Sequence, residues 1–306
     1  MTATPTQAGW LTRAGRLAGD IKLAHTVFAL PFAVLGAYLA AGSAGRLVRG
    51  WEFALVLAAM VFARTMAMAV NRWADAAYDA ANPRTRERAI PSGRVSRRFV
   101  LGVAVACGLG LIAAAAGFLF LGDNPWPLLL SPVVIAILCG YSFTKRFTAL
   151  AHVVLGLALG LSPVAAAVAV EPAYVSTLEP WLVLLFVVGW VAGFDVIYAL
   201  QDAAFDRGAG LFSLPARLGE AGAMTASRLL HAVAAASLWA LWGVSLQLDA
   251  PFLVAAIAVT ALLVVEHALV SRPDRRRIAA AFFPVNGAIS LIVGGVGVLD
   301  VVLDVA

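Results

Sequence analysis

Apolar stretches about 20 residues long recur from end to end of this 306-residue chain, and each is close to the length a helix needs to cross the roughly 30 Å hydrocarbon core of a bilayer. Inside that core no water satisfies backbone N–H and C=O groups, so the stretches must be helices that close their own hydrogen bonds. A water-soluble fold is excluded. Composition agrees, with 62% hydrophobic and 13% charged residues against about 25% charged in an average soluble domain. Reading apolar runs between polar loops predicts about nine transmembrane helices, near residues 25–41, 51–73, 98–121, 126–143, 149–170, 180–202, 224–247, 250–271 and 278–303. The expected architecture is an all-α integral membrane protein of one domain, residues 1–306, with a short cytoplasmic segment, residues 1–22. Arg13, Arg16, Asp20 and Lys22 interrupt the first 25 residues, and no apolar run there ends in a small-residue cleavage site, so no cleaved signal peptide is expected. Cys107 and Cys139 both fall in apolar runs without paired spacing, which predicts neither a disulfide nor a zinc site.

The loops test this helix count, because Lys and Arg collect in the loops that stay cytoplasmic. Arg13, Arg16 and Lys22 precede the first helix, and Arg72, Arg84, Arg86, Arg88, Arg94, Arg97 and Arg98 lie between the second and third. Lys145 and Arg146 lie between the fourth and fifth, Arg207, Arg217 and Arg228 at or near the loop after the sixth, and Arg272, Arg275, Arg276 and Arg277 after the eighth. These are 19 of the 22 basic residues; Arg46 and Arg49 fall on the other side and Arg64 inside the second helix. The amino terminus is therefore expected in the cytoplasm, and the carboxyl terminus, with Asp300 and Asp304, outside a bacterial inner membrane. Attraction to anionic headgroups and this topology account for the net charge of +5, so no nucleic-acid partner is expected. Trp10, Trp51, Trp126 and Trp181 fall near span ends, as an aromatic belt requires.

The two most polar places in the spans repeat each other. Asn71-Arg-Trp-Ala-Asp75-Ala-Ala-Tyr-Asp79 and Tyr198-Ala-Leu-Gln-Asp202-Ala-Ala-Phe-Asp206 share the pattern polar-x3-Asp-x3-Asp, offset by 127 positions. A proline-basic loop follows each, Ala89-Ile-Pro-Ser-Gly-Arg94 and Ser213-Leu-Pro-Ala-Arg217, so the halves read as parallel repeats. Residues four apart on an α-helix lie on one face, about 6 Å apart along the axis. Four carboxylates so placed at the mouth of an apolar bundle are costly unless a cation lies between them, and Mg²⁺ suits hard oxygen ligands and substrate phosphates. Asp75, Asp79, Asp202 and Asp206 are thus the candidate metal ligands. Arg72, Arg84, Arg86, Arg88, Arg94, Lys145, Arg146 and Arg217 stand where they would neutralise phosphate oxygens, although positive-inside topology alone explains any single one of them.

Asn71-x3-Asp75-x3-Asp79 followed by Asn82-Pro83-Arg84-Thr85, with Asp195-x2-Tyr198-x3-Asp202-x3-Asp206 in the second half, resembles the UbiA superfamily of intramembrane aromatic prenyltransferases. His25-Thr26-Val27-Phe28-Ala29-Leu30-Pro31-Phe32 and Tyr141-x3-Lys145-Arg146 look like its 4-hydroxybenzoate polyprenyltransferase branch, which includes similar enzymes of the menaquinone pathway. The likeness spans the first seven helices and implies a UbiA-type bundle of two parallel repeats. It also implies transfer of a polyprenyl group from a polyprenyl diphosphate to an aromatic acid, 4-hydroxybenzoate or a relative, in ubiquinone or menaquinone biosynthesis. Mg²⁺ held by the four aspartates, with Asn71 helping, would stabilise the leaving diphosphate, and Tyr198 the allylic cation. Substrate contacts are expected from Arg72, Arg84, Arg88, Lys145 and Arg146, with the active site opening to the cytoplasm.

Further residues carry two readings each. His25 is a substrate contact or an interfacial histidine. Arg64, seven residues before Asn71 and so on the same helix face two turns deeper, either pairs with the carboxylate of the aromatic acid or serves a structural ion pair. Asp195, equally deep in the other half, either partners Arg64 or positions the acceptor hydroxyl. His152, His231 and His267 lack metal-like spacing and read as packing residues. Two alternatives to the main reading differ in what they require. A UbiA-type enzyme with homogentisate, haem or a chlorophyll precursor as acceptor would share the diphosphate machinery, whereas an ion-coupled transporter would scatter its acids along a pathway.

Overall fold

The computed structural model describes residues 9–21, 28–270 and 275–305, with backbone alone for 275–282. Among these residues the regular elements are helices: α1 (Trp10–Asp20), α2 (Leu30–Ser43), α3 (Gly50–Ala81), α4 (Arg97–Gly122), α5 (Trp126–Thr144), α6 (Ala151–Val170), α7 (Glu179–Ala199), α8 (Ala203–Gly208), α9 (Leu214–Val244), α10 (Ala250–Leu269) and α11 (Arg275–Val305). Short 3₁₀ turns cover Pro172–Ser176 and Leu200–Asp202.

Seven of the described segments are long and apolar enough to cross a membrane: α3, α4, α5, α6, α7 with its continuation to Gly208, α10, and Phe283–Val305 of α11. The sequence predicts about nine. The difference lies in α2, an apolar helix of 14 residues, and in α9, whose 31 residues include Glu220, Arg228 and His231.

The helices pair as the repeat demands. α3 packs along α4, and α7 along α9, so each acidic motif ends the first arm of a helical hairpin. α6 lies against α7 and α2, and α11 closes onto α2 and α10. Without an apolar-to-water driving force between helices in lipid, close approach of small residues supplies the attraction. A Cβ added to Gly156 of α6 would stand 2.6 Å from the carbonyl oxygen of Val188 in α7, so only glycine permits this crossing.

The two halves are filled differently. Phe28, Phe32, Phe186, Trp190 and Phe194 interlock at ring-centroid distances of 5.2 to 6.4 Å and fill the space between α2 and α7. The space between α2, α3, α4, α5 and α6 is hollow instead, a cavity of about 310 Å³ walled by small or flexible residues such as Ala33, Ala63, Ala115 and Ala166. Among the described residues, Arg64 is the one charged residue in its wall. α1 lies outside both halves, with Leu17 and Ile21 buried against Ala69, Val95 and Val100, and with Trp10 and Leu11 exposed.

Candidate active site

The first acidic motif lies on continuous helix. α3 runs to Ala81, two turns beyond the end that hydropathy predicts, and so carries Asn71, Asp75 and Asp79 past the apolar part of the span on one face. The second motif does not. α7 stops at Ala199, residues 200–202 form a 3₁₀ turn, and Asp206 belongs to the separate short helix α8. The expectation that Tyr198, Asp202 and Asp206 share one helix face is therefore corrected: overwinding shifts the register, and the Gln201 side chain donates to the Tyr198 carbonyl at 3.2 Å within this overwound turn.

Each of three aspartates is held by a basic residue that the sequence singles out. Lys145 Nζ donates to Asp75 Oδ2 at 2.6 Å, and Arg146 stands 3.7 Å from Oδ1. Arg88 donates to both oxygens of Asp79, at 2.8 and 2.9 Å. Arg84, on the loop after α3, reaches across to the other half and grips Asp202 with two nitrogens, Nε at 2.8 Å from Oδ1 and a terminal nitrogen on Oδ2. Asn82 adds a bond of 3.1 Å to the same carboxylate while its own oxygen accepts from the Arg84 N–H at 2.9 Å, which fixes the turn that aims the arginine. Arg84 also donates to the Tyr198 hydroxyl at 3.2 Å and lies over its ring. Burial lowers the pKa of this guanidinium, and the hydrogen bond and charge of Asp202 outweigh that effect, so the net shift is upward. Because the first-half loop binds the second-half motif directly, the two motifs belong to one site.

Three of the four aspartates are thus compensated by cations of the chain, and among the described residues the four form no shared cage. Among the described residues no three His, Cys, Asp or Glu side chains converge as a metal-binding group. The donor set nonetheless fits a hard divalent cation. Asp75 Oδ1 is buried and makes no hydrogen bond, and the carboxylates beside it are oxygen donors of the kind Mg²⁺ takes together with phosphate oxygens.

The remaining candidates are dispersed. Arg72 turns toward α1, with Nε 3.4 Å from Asp20 Oδ2 and a terminal nitrogen 2.9 Å from Asn71 Oδ1. Asp206 is half-buried on α8. Arg64 lies in the cavity wall two turns below Asn71, and its Nε is buried without a hydrogen-bond partner. Asp195 does not pair with Arg64: its Oδ2 accepts from His152 Nδ1 at 2.7 Å, and His152 Nε2 accepts from the backbone N–H of Leu214 at 3.3 Å. The sequence reads His152 only as a packing or interface residue, because the contact joins α6, α7 and the start of α9 over a separation that no local spacing records. His25 and Lys22 lie outside the described residues.

Residues 29–290 match the model of the UbiA prenyltransferase family. The chain is 31% identical over 233 residues to the 4-hydroxybenzoate octaprenyltransferase of Cupriavidus necator, covering 75% of this chain and 78% of that protein. It is 29% identical to the enzyme of that name from Chromohalobacter salexigens, covering 76% and 75%. The apo structure of a UbiA homolog from Aeropyrum pernix superimposes with a TM-score of 0.81 at 35% identity, over 91% of this chain and 98% of that one. A UbiA homolog from Archaeoglobus fulgidus bound to DMAPP and Mg²⁺ shares the fold at 18% identity and a TM-score of 0.70, over 95% and 99%. With paired aspartate motifs bridged by Arg84, membrane-spanning helices and a family match over most of its length, the chain is a member of the UbiA prenyltransferase family.

Proposed function

We propose that this protein transfers a polyprenyl group from a polyprenyl diphosphate to an aromatic acid, 4-hydroxybenzoate or a close relative, as a step of quinone biosynthesis. The observation that carries this reading is the junction of two unlike environments: ion pairs of aspartate with arginine and lysine beyond the end of an apolar cavity whose walls on α3 and α5 lead to them. The named activity of relatives such as the Cupriavidus protein supports the choice of acceptor.

In this mechanism Arg84, Arg88, Lys145 and Arg146 would take the diphosphate oxygens, while Asp75, Asp79, Asp202 and Asp206 would hold Mg²⁺ and Asn71 would support them through its bond to Asp75. The bound cation supplies charge stabilisation for the departing diphosphate. The isoprenoid tail lies in the cavity between α3, α4, α5 and α6, whose apolar wall excludes the water that would capture an allylic cation. Tyr198 offers its ring face to that cation. Arg64 receives the carboxylate of the acid, Asp195 is held by His152 to position the acceptor hydroxyl, and ring attack forms the C–C bond as the donor's C–O bond breaks, the ring carbon then losing its proton to the released diphosphate. The site opens to the cytoplasm, the side on which basic loops collect.

The test is turnover by the purified protein across a panel of polyprenyl diphosphates and aromatic acids, with and without Mg²⁺. Prenylated 4-hydroxybenzoate is expected, with loss on chelation. Asp75→Asn and Asp202→Asn should each lower kcat/KM by about 30-fold or more, since truncating a buried charge pair costs about 2–5 kcal/mol. Turnover that persists in either variant with the metal chelated would refute the assignment of the aspartates.

A further inference from the structure

Arg72 sits inside the first acidic motif, yet its bonds run to the end of α1 and to Asn71 and not to Asp75 or Asp79. Its guanidinium, 9% exposed, meets the carboxyl end of α1: Nε is 3.4 Å from Asp20 Oδ2, and a terminal nitrogen is 3.5 Å from the Asp20 carbonyl. That carbonyl belongs to the last turn of α1, where backbone oxygens lack helical partners and a cation is favoured. Arg72 therefore closes α1 and is anchored by it. Its other terminal nitrogen donates to Asn71 Oδ1 at 2.9 Å, and Asn71 Nδ2 donates to Asp75 Oδ2 at 3.3 Å.

The chemistry of this chain leaves the amide one orientation. A guanidinium has donors and no acceptor, and an ionised carboxylate has acceptors and no donor, so an asparagine between them must turn its oxygen to Arg72 and its NH₂ to Asp75. Lys145 Nζ binds the same oxygen of Asp75, at 2.6 Å, so both donors are gathered on Oδ2, and Oδ1 is left without a hydrogen bond. We propose that Arg72, anchored by Asp20 at the end of α1, is a positioning residue that locks the Asn71 amide as a donor to Asp75 and thereby presents Asp75 Oδ1 to the metal. α1, outside the membrane bundle, is through this contact part of the support of the metal site. The proposal deepens the magnesium–diphosphate reading above and rests on it.

The test uses full-length protein in lipid nanodiscs and measures Mn²⁺ binding in the presence of inorganic pyrophosphate by the loss of the free Mn²⁺ spin-resonance signal. Glutamine both donates and accepts, so Arg72→Gln frees the amide to flip, whereas Arg72→Lys keeps a donor-only neighbour. Arg72→Gln is expected to weaken Mn²⁺ binding about tenfold, the scale of a hydrogen bond to a charged group, and Arg72→Lys to recover most of it. Asp20→Asn, which removes the anchoring charge but leaves Arg72 and Asn71 intact, is expected to shift affinity in the same direction, and it decides the matter if Arg72→Gln does not fold. Unchanged Mn²⁺ affinity in the folded variants, or an equal loss in Arg72→Lys and Arg72→Gln, overturns the positioning role alone. A parent protein that binds no Mn²⁺ with pyrophosphate overturns the magnesium–diphosphate reading and this proposal with it.

Discussion

At the scale of single residues, Arg64 poses the sharpest question, because a guanidinium in a hydrocarbon-lined cavity is costly unless a partner meets it. Its Nε has no hydrogen-bond partner; of the hydroxyls that share the wall, Ser131 and Ser162 donate to carbonyls of their own helices at 2.9 and 2.7 Å, and Tyr141 donates to Met68 Sδ at 3.9 Å. A planar carboxylate would pair with it bidentately, and lysine, a point charge on a flexible stem, would replace it poorly. Arg64→Lys should therefore raise KM for the aromatic acid by about tenfold while the donor KM moves far less, the pattern of a lost uniform binding interaction. Steady-state kinetics with each substrate varied in turn decide this, and a parallel rise in both constants would make Arg64 structural. The residues themselves were legible in the sequence where chemistry is local: a four-residue spacing announces Asp75 and Asp79, and a deep arginine announces itself. Partners were not. That Arg84 crosses to Asp202 and that His152 holds Asp195 are facts of helix packing, and no spacing within one helix encodes them.

At the scale of elements, hydropathy locates the apolar middle of a span well and its polar ends poorly. The end of α3, with Asp75 and Asp79, and the start of α9, with Arg217 and Glu220, both extend beyond their apolar runs because polar residues continue the helix there. α9 begins at Leu214, capped by the Ser213 hydroxyl on the N–H of Ala216 at 3.3 Å, and is interrupted at Gly219, where φ is 68° and ψ is −178°. That region of backbone space is essentially reserved for glycine. A Cβ at Gly219 would meet nothing within 4 Å, so Gly219→Ala isolates backbone strain, and about 1–3 kcal/mol of destabilisation is expected. Gly102 of α4 is the control: a Cβ there also meets nothing within 4 Å, no left-handed φ is required, and alanine should stabilise by about 0.5–1 kcal/mol. Thermal unfolding in one detergent compares the two, and equal shifts would show that the break at Gly219 is not held by its backbone.

At the scale of the whole molecule, two hairpins have matching acidic ends but unlike interiors. The half built on α7 and α9 is packed with buried aromatic and aliphatic side chains, Trp190 and Phe186 among them, while the half built on α3 and α4 keeps a cavity. On the function proposed above, one site assembled from both ends stands over this chamber, and the chamber should set what the donor tail may be. Its wall on α3 runs from Met68 down to Val56, twelve residues or about 18 Å of helix. Ala115 of α4 faces it near the deep end, one turn from Phe118. A phenylalanine at position 115 would fill that end without touching the ion-paired residues above. Short donors, whose tails occupy only the region beside Arg64 and Tyr141, should keep kcat/KM within about twofold of the parent, whereas long donors must either bend out between helices or displace the new ring. Overpacking an apolar site costs about 1–3 kcal/mol, so kcat/KM for long donors should fall by about 5- to 150-fold. Comparing geranyl and octaprenyl diphosphates, with a melting curve to show that Ala115→Phe is folded, makes the measurement. Equal loss with both donors would mean that the tail does not run down this chamber.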